Sequence, residues 1–168
     1  VSMTGPFGHE LLNGALGMDE TERVLNLLRE VAIETNAKVA AAIGIPQAAA
    51  VTCVKPEGTA SQLTGTSSGL HAWHNDYYIR TVRGDKKDAV SQFLADAGVY
   101  VEDDAMNPSA TNVFYFPIKA PKGALTRHDL PALKHLELWL VYQRAWCEHK
   151  PSVTIYVKDD EWSAVGDW

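Results

Sequence analysis

One stretch carries residue types that together suggest chemistry: Val54-Lys55-Pro56-Glu57-Gly58-Thr59-Ala60-Ser61-Gln62-Leu63-Thr64-Gly65-Thr66-Ser67-Ser68-Gly69. An apolar run leads into Pro-Glu-Gly and then into small hydroxyl residues able to open a helix. Pro56 restricts the turn. Gly58 lets the backbone pass close to a bound group. Thr59 and Ser61 offer hydroxyls, and the amides from Gly58 to Ser61 can converge on one anion. That arrangement suits a phosphate chain at the C-terminal end of a strand. It is neither a Walker A loop, lacking the GK[ST] ending, nor GxGxxG. The competing reading is a Ser/Thr-rich connection that satisfies its own backbone.

Other chemistry-bearing residues carry weaker signals. His71 and His74 are three apart, but in a predicted loop without a third ligand, so no metal site is expected. Glu57 would repel phosphate oxygens unless its side chain turned away, which assigns it a loop-shaping role through its amide. Arg80 and Arg83 interleave with Ile79 and Val82; ion pairs and phosphate contact are the two alternatives. Cys53 and Cys147 form no CxxC pair. Two reduced, packed thiols are the expectation, with a disulfide or redox pair as the alternative.

The elements around the loop alternate. Asp19-Glu20-Thr21-Glu22 reads as a capping box. Val24, Leu27, Leu28, Val31, Ala32 and Thr35 continue at helical spacing to about Ala42, before Gly44 and Pro46. Residues 48–54 (AAAVTCV) read as a strand buried on both faces. Residues 59–63 read as a helical turn, 76–82 as a strand, and 86–97 as a helix with Val90, Phe93 and Leu94 inward and Gly98 as its stop. Residues 112–118 (NVFYFPI) form a strong strand. Residues 129–146 form a helix with Pro131 in its first turn and a stripe of Leu133, Leu136, Trp139 and Leu140. Residues 152–157 (SVTIYV) form a last strand. Trp139, Trp146, Tyr156 and Trp162 are expected to pack the core. The alternation predicts an α/β fold with mainly parallel strands and crossover helices.

Composition sets outer limits. Of 168 residues, 46% are apolar and 21% charged, which excludes a wholly disordered chain. The 15 basic and 21 acidic residues leave a net charge of −6, so broad nucleic-acid binding, including direct DNA binding, is not expected. No apolar run reaches the roughly 20 residues of a membrane span, and no signal peptide is visible. The start at Val1 and the stop at Asp167-Trp168, just after a helix start at residues 159–162, suggest a piece of a longer chain.

The run KPEGTASQLTGTSSGLHAWHNDYYIRTVR, Lys55 to Arg83, resembles the catalytic chain of ribonucleotide reductases, most closely the adenosylcobalamin-dependent class. Ser67-Ser68-Gly69-Leu70-His71 and Tyr77-Tyr78-Ile79-Arg80-Thr81-Val82-Arg83 are similar to its monomeric, triphosphate-reducing branch. Ile43-Gly44-Ile45-Pro46 leading into Val54-Lys55-Pro56, and residues 146–157, agree. The resemblance covers about Gly8 to Trp168.

It implies part of a ten-stranded α/β barrel, its C-terminal half, about four strands with crossover helices, as a single partial domain over residues 1–168. It implies that the loop 55–62 holds substrate phosphate through Pro56, Glu57, Gly58, Thr59, Ala60 and Ser61, with His71 and Arg80 at the active-site rim. The family's radical cysteine lies in an Asn-x-Cys-x-Glu pattern that is absent here, so no catalytic residue is assigned to this segment. For the whole enzyme it implies reduction of ribonucleoside triphosphates to deoxyribonucleotides, adenosylcobalamin, a thioredoxin-like reductant, the remaining part of the reductase chain as partner, and the cytoplasm of a bacterium or phage-infected host. A non-catalytic nucleotide-binding or assembly module, and a fragment of a diphosphate-reducing enzyme, are the alternatives.

Overall fold

A computed structural model describes all 168 residues, Val1–Trp168. The sequence reads as a single partial domain; the chain divides into two compact units, residues 1–74 with 121–168, and residues 75–120.

The first unit is built around two helices. Helix α1 runs Met18–Ile43 and ends at Gly44, close to the predicted limits. Its start differs from the expected capping box. Gly17 is the N-cap, with no side-chain cap; Asp19, the expected N-cap, lies in the first turn, and Glu22, its expected partner, stands 3.9 Å from Arg144. Thr21 is buried and its hydroxyl donates to Gly17 O at 3.2 Å. Of the helix's apolar residues, Leu25 and Ala40 are buried, while Leu27, Leu28, Val31, Val39 and Ile43 face outward.

Helix α4 runs Ala132–Ala145 after Pro131. Its buried stripe is Ala132, His135, Leu138, Val141, Tyr142 and Ala145, rotated from the expected Leu133, Leu136, Trp139 and Leu140, which are half-buried. The helix is apolar on more than one side, so spacing alone does not choose the buried face. Leu138, Val141 and Tyr142 pack with Phe7, Leu25, Val54, Leu70, Leu130 and Trp146 in one core. Burial of each large apolar side chain contributes about 1.5–3 kcal/mol. The Tyr142 hydroxyl donates to Leu12 O at 2.9 Å, so its one polar group is satisfied inside the core. Glu161 leads into the short helix α5, Trp162–Asp167, and its carboxylate accepts from Ala132 N at 3.0 Å at the start of α4. Trp146 is buried as expected and Trp139 packs against the core. Tyr156 and Trp162 are exposed, contrary to expectation.

The strands correct the expected sheet. β1 (Ser2–Met3) and β2 (Cys53–Val54) form a two-residue parallel pair, Ser2 opposite Cys53 and Met3 opposite Val54. The strand expected over 48–54 shrinks because its partner offers only two paired residues, and Ala48, Ala49 and Ala50 are exposed. Residues 152–157 alternate exposed and half-buried, as an extended segment with one packed face would, yet pair with no strand of this chain. Ladder hydrogen bonds need a neighbouring edge, which the residues' own β-propensity does not supply.

The second unit is an antiparallel sheet in the order β3-β5-β4, with β3 Tyr77–Asp85, β4 Val101–Asp103 and β5 Thr111–Lys119. The mainly parallel arrangement is thus corrected: β4 and β5 are joined by a short connection, which permits only antiparallel pairing. Nine residues of β3 face nine of β5, from Tyr77 opposite Lys119 to Asp85 opposite Thr111. Pro117 is tolerated in this central strand. Tyr115 N donates to Tyr100 O on the β4 side, so the ring nitrogen of Pro117 faces that side two residues on, past the last pairing. Helix α3, Ala89–Asp96, is capped by Asp88, which accepts from Val90 N and Ser91 N. Ser91 is its buried residue and sits against Gly84; Val90 and Phe93, expected inward, are exposed. Asp104 is buried, accepts from Arg83 Nε at 2.7 Å and caps the Met106 and Asn107 amides.

Candidate functional site

The loop between β2 and helix α2 (Ala60–Thr64) is held from both ends. On the entry side, Glu148 anchors the strand. Its carboxylate accepts from Val51 N and, at 2.7 Å, from Thr52 N, with Arg29 3.7 Å away. Those amide donors, the Thr52 amide foremost, hold the Glu148 carboxyl below its usual value. The Thr52 hydroxyl donates to Trp146 O at 2.6 Å and the Trp146 indole N–H to Cys53 O at 2.8 Å. The strand before the loop is thereby stitched to the end of α4.

Inside the loop, Ser61 is fully buried, and its hydroxyl and amide both donate to Glu57 O. The Glu57 amide donates to Ser68 Oγ at 2.7 Å. The Glu57 amide and carbonyl and the Ser61 hydroxyl are thus engaged within the loop. Pro56, Gly58, Thr59 and Ala60 are exposed. The Thr59 and Ala60 amides and the Thr59 hydroxyl have no hydrogen-bond partner within the chain. A Cβ placed on Gly58 would meet nothing within 4 Å, so open space lies beside it.

A second loop forms the floor. Gly5 N donates to Ser67 O at 3.0 Å, and the Thr4 hydroxyl donates to the same oxygen at 3.1 Å. His71 N donates to Ser68 O at 3.0 Å. Gly69 has φ +50°, and its Cα faces Lys55 O so closely that a Cβ would stand 2.7 Å from that oxygen. The buried Ser67 Oγ and Trp73 Nε1 have no partner.

Among the sequence candidates, Pro56 to Ser61 are brought together and tied to residues 67–71. His71 is half-buried on that floor, and burial pushes its imidazole pKa down. Arg80 lies on β3 of the second unit, opposite Phe116. His71 and His74 belong to no group of three His, Cys, Asp or Glu side chains. Both cysteines are free. Cys53 is half-buried, whereas Cys147 is buried, and burial pushes its thiol up to about 11. Sequence reasoning missed Thr4, Glu148 and His135. Their partners lie 63 or more positions away, and no local pattern marks them.

No family model matches the chain. It is 32% identical over 111 residues to an adenosylcobalamin-dependent ribonucleoside-triphosphate reductase of Euglena gracilis, covering 66% of this chain and 15% of that protein. It is 31% identical over 122 residues to a probable enzyme of the same name from Dictyostelium discoideum, covering 73% of this chain and 16% of that one. The chain is a homologue of the adenosylcobalamin-dependent ribonucleoside-triphosphate reductases. The Lactobacillus leichmannii reductase aligns over 165 residues at 25% identity, covering 95% of this chain. A solved B-12 dependent (class II) ribonucleotide reductase shares the fold with a TM-score of 0.73 at 24% identity, over 89% of this chain and 21% of that one. This reductase homologue spans between 15% and 22% of the length of these curated relatives. No helix in it is long and apolar enough to cross a membrane.

Proposed function

We propose that this chain is part of a ribonucleotide reductase catalytic barrel and supplies the loop that binds the substrate's phosphates. The observation that carries the reading is the exposed Pro56–Ala60 turn after β2, where the Thr59 and Ala60 amides and the Thr59 hydroxyl lack partners beside open space at Gly58. Pro56, Glu57 and Ser61 shape the turn, and Gly58, Thr59 and Ala60 face the anion, with His71 as a rim residue. Each charge-assisted hydrogen bond to a phosphate contributes roughly 1.5–3 kcal/mol. Fixing the phosphates positions the ribose against the reacting groups, the larger effect on rate. The outward apolar residues of α1 support a partial barrel whose remaining strands and helices belong to the rest of the reductase chain.

For the complete enzyme, the reading is reduction of ribonucleoside triphosphates to deoxyribonucleotides in the cytoplasm, with a thioredoxin-like dithiol as electron donor. Adenosylcobalamin, when bound, supplies the radical initiator. No residue of this chain is assigned to its site, and the buried His135 is engaged by Leu70 O. Cys147 is buried with a raised pKa, and neither cysteine lies in an Asn-x-Cys-x-Glu pattern. This chain by itself is assigned binding without reduction.

Isothermal titration with ATP, CTP and inorganic triphosphate tests the reading, with Gly58→Val and Thr59→Ala as variants. Binding that follows the phosphates and weakens in both variants is expected. Absence of binding by a folded chain, persisting when the rest of the reductase chain is supplied, overturns it.

A further inference from the structure

The floor of the loop is tied to the buried stripe of α4 through one polar side chain. His135 is 3% exposed, and its Nε2 lies 2.9 Å from Leu70 O. A carbonyl oxygen only accepts, so Nε2 carries the hydrogen and donates. The Phe7 and His135 rings stand edge to face, 5.2 Å between centroids and 82° between planes, which limits rotation of the imidazole. From Leu70 the path is short. Gly69 lies against Lys55 O, and Ser68 Oγ accepts the Glu57 amide. Glu57 O in turn holds Ser61. A continuous chain of contacts thus connects the core of α4 to the turn that presents Thr59 and Ala60.

We propose that His135 is a positioning residue: by donating from Nε2 to Leu70 O it holds the 67–71 floor, and through it the 57–61 turn, in the shape that accepts a phosphate chain. The role rests on the phosphate reading for its ligand, while the coupling of His135 to the turn stands on the hydrogen bonds. Ser67 O is held separately by Gly5 and Thr4, and Leu70 is anchored in the core by its side chain, whereas the Leu70 carbonyl has His135 as its donor. A leucine at 135 fills the space and leaves Leu70 O without a donor. Glutamine keeps a side-chain N–H of similar reach, whereas asparagine is too short.

The test compares wild type, His135→Gln, His135→Leu and His135→Asn in the full chain. Val141→Ala, a buried change on the same helix with no polar link to the floor, controls for lost stability. Amide hydrogen exchange is read at Glu57, Gly69 and His71, and inorganic triphosphate affinity by titration. In His135→Leu, exchange at those amides rises and triphosphate affinity falls, each roughly ten-fold beyond Val141→Ala of similar melting temperature, as expected for one buried acceptor left without a donor. His135→Gln stays within about three-fold of wild type by the same reasoning. If His135→Leu does not fold, His135→Asn provides the comparison. Exchange in the leucine or asparagine variant that matches Val141→Ala overturns the proposal, as does failure of glutamine to restore protection. Raised exchange with no triphosphate binding by wild type, even with the rest of the reductase chain supplied, supports the coupling and overturns the phosphate reading instead.

Discussion

Gly69→Ala tests the contact that shapes the loop floor. Gly69 sits at φ +50°, where an L side chain costs about 1–2 kcal/mol from its clash with the following carbonyl. The added methyl would also stand 2.7 Å from Lys55 O, 3.2 Å from Lys55 C and 3.3 Å from Val54 Cγ1. Two of these neighbours are backbone atoms of the segment entering the turn, and Val54 is a core residue of the β1–β2 pair, so none can rotate aside. Overpacking of this kind costs about 1–3 kcal/mol. The sum is about 2–5 kcal/mol, a large share of the roughly 5–15 kcal/mol that holds an ordinary domain folded. Gly65→Ala provides the comparison: Gly65 has φ +65°, but an added methyl there would meet nothing within 4 Å, so the conformational part acts alone. Urea unfolding of both variants, followed by tryptophan fluorescence, measures the two costs. A Gly69→Ala loss no larger than that of Gly65→Ala would refute the argument that the Lys55 carbonyl is pressed against this glycine.

The remaining predictions concern the supports of the two units. Glu148→Gln should flatten the acid limb of the stability profile. The Thr52 and Val51 amides depress the folded-state pKa of Glu148, so its contribution is complete above the unfolded value of about 4.3 and is lost as pH falls through the lower folded value. Urea midpoints between neutral and strongly acidic pH read this, and an unchanged acid limb in the variant would count against it. Asp88→Ala should destabilise α3 by about 1 kcal/mol by removing the acceptor for Val90 N and Ser91 N, seen as faster exchange of those two amides; unchanged exchange would contradict the cap.

The sequence by itself determined the parts that depend on near neighbours. The span of α1 and its end at Gly44, the strong strand before Lys119, and Pro131 just ahead of α4 follow from periodicity and from the conformational limits of glycine and proline. The Pro-Glu-Gly-Thr turn was legible for the same reason, and its motif carried the family resemblance. Tertiary structure alone decided what depends on distant partners. Residues 152–157 have strand composition and alternation, but a strand needs an edge to pair with, and no strand of this chain supplies one. The face of α4 that is buried was decided by Phe7, Leu25 and Leu70, because leucines lie on several sides of the helix. That choice placed a histidine in the core and left Leu133 and Leu136 half-buried. In the turn, residue types suggested Ser61 as a phosphate ligand, yet burial turned its hydroxyl to Glu57 O and left Thr59 and Ala60 as the unpaired donors. A hydroxyl or amide takes whichever partner the fold brings within about 3 Å. For Glu148 and His135 those partners come from 65 or more positions away, beyond the reach of any local pattern.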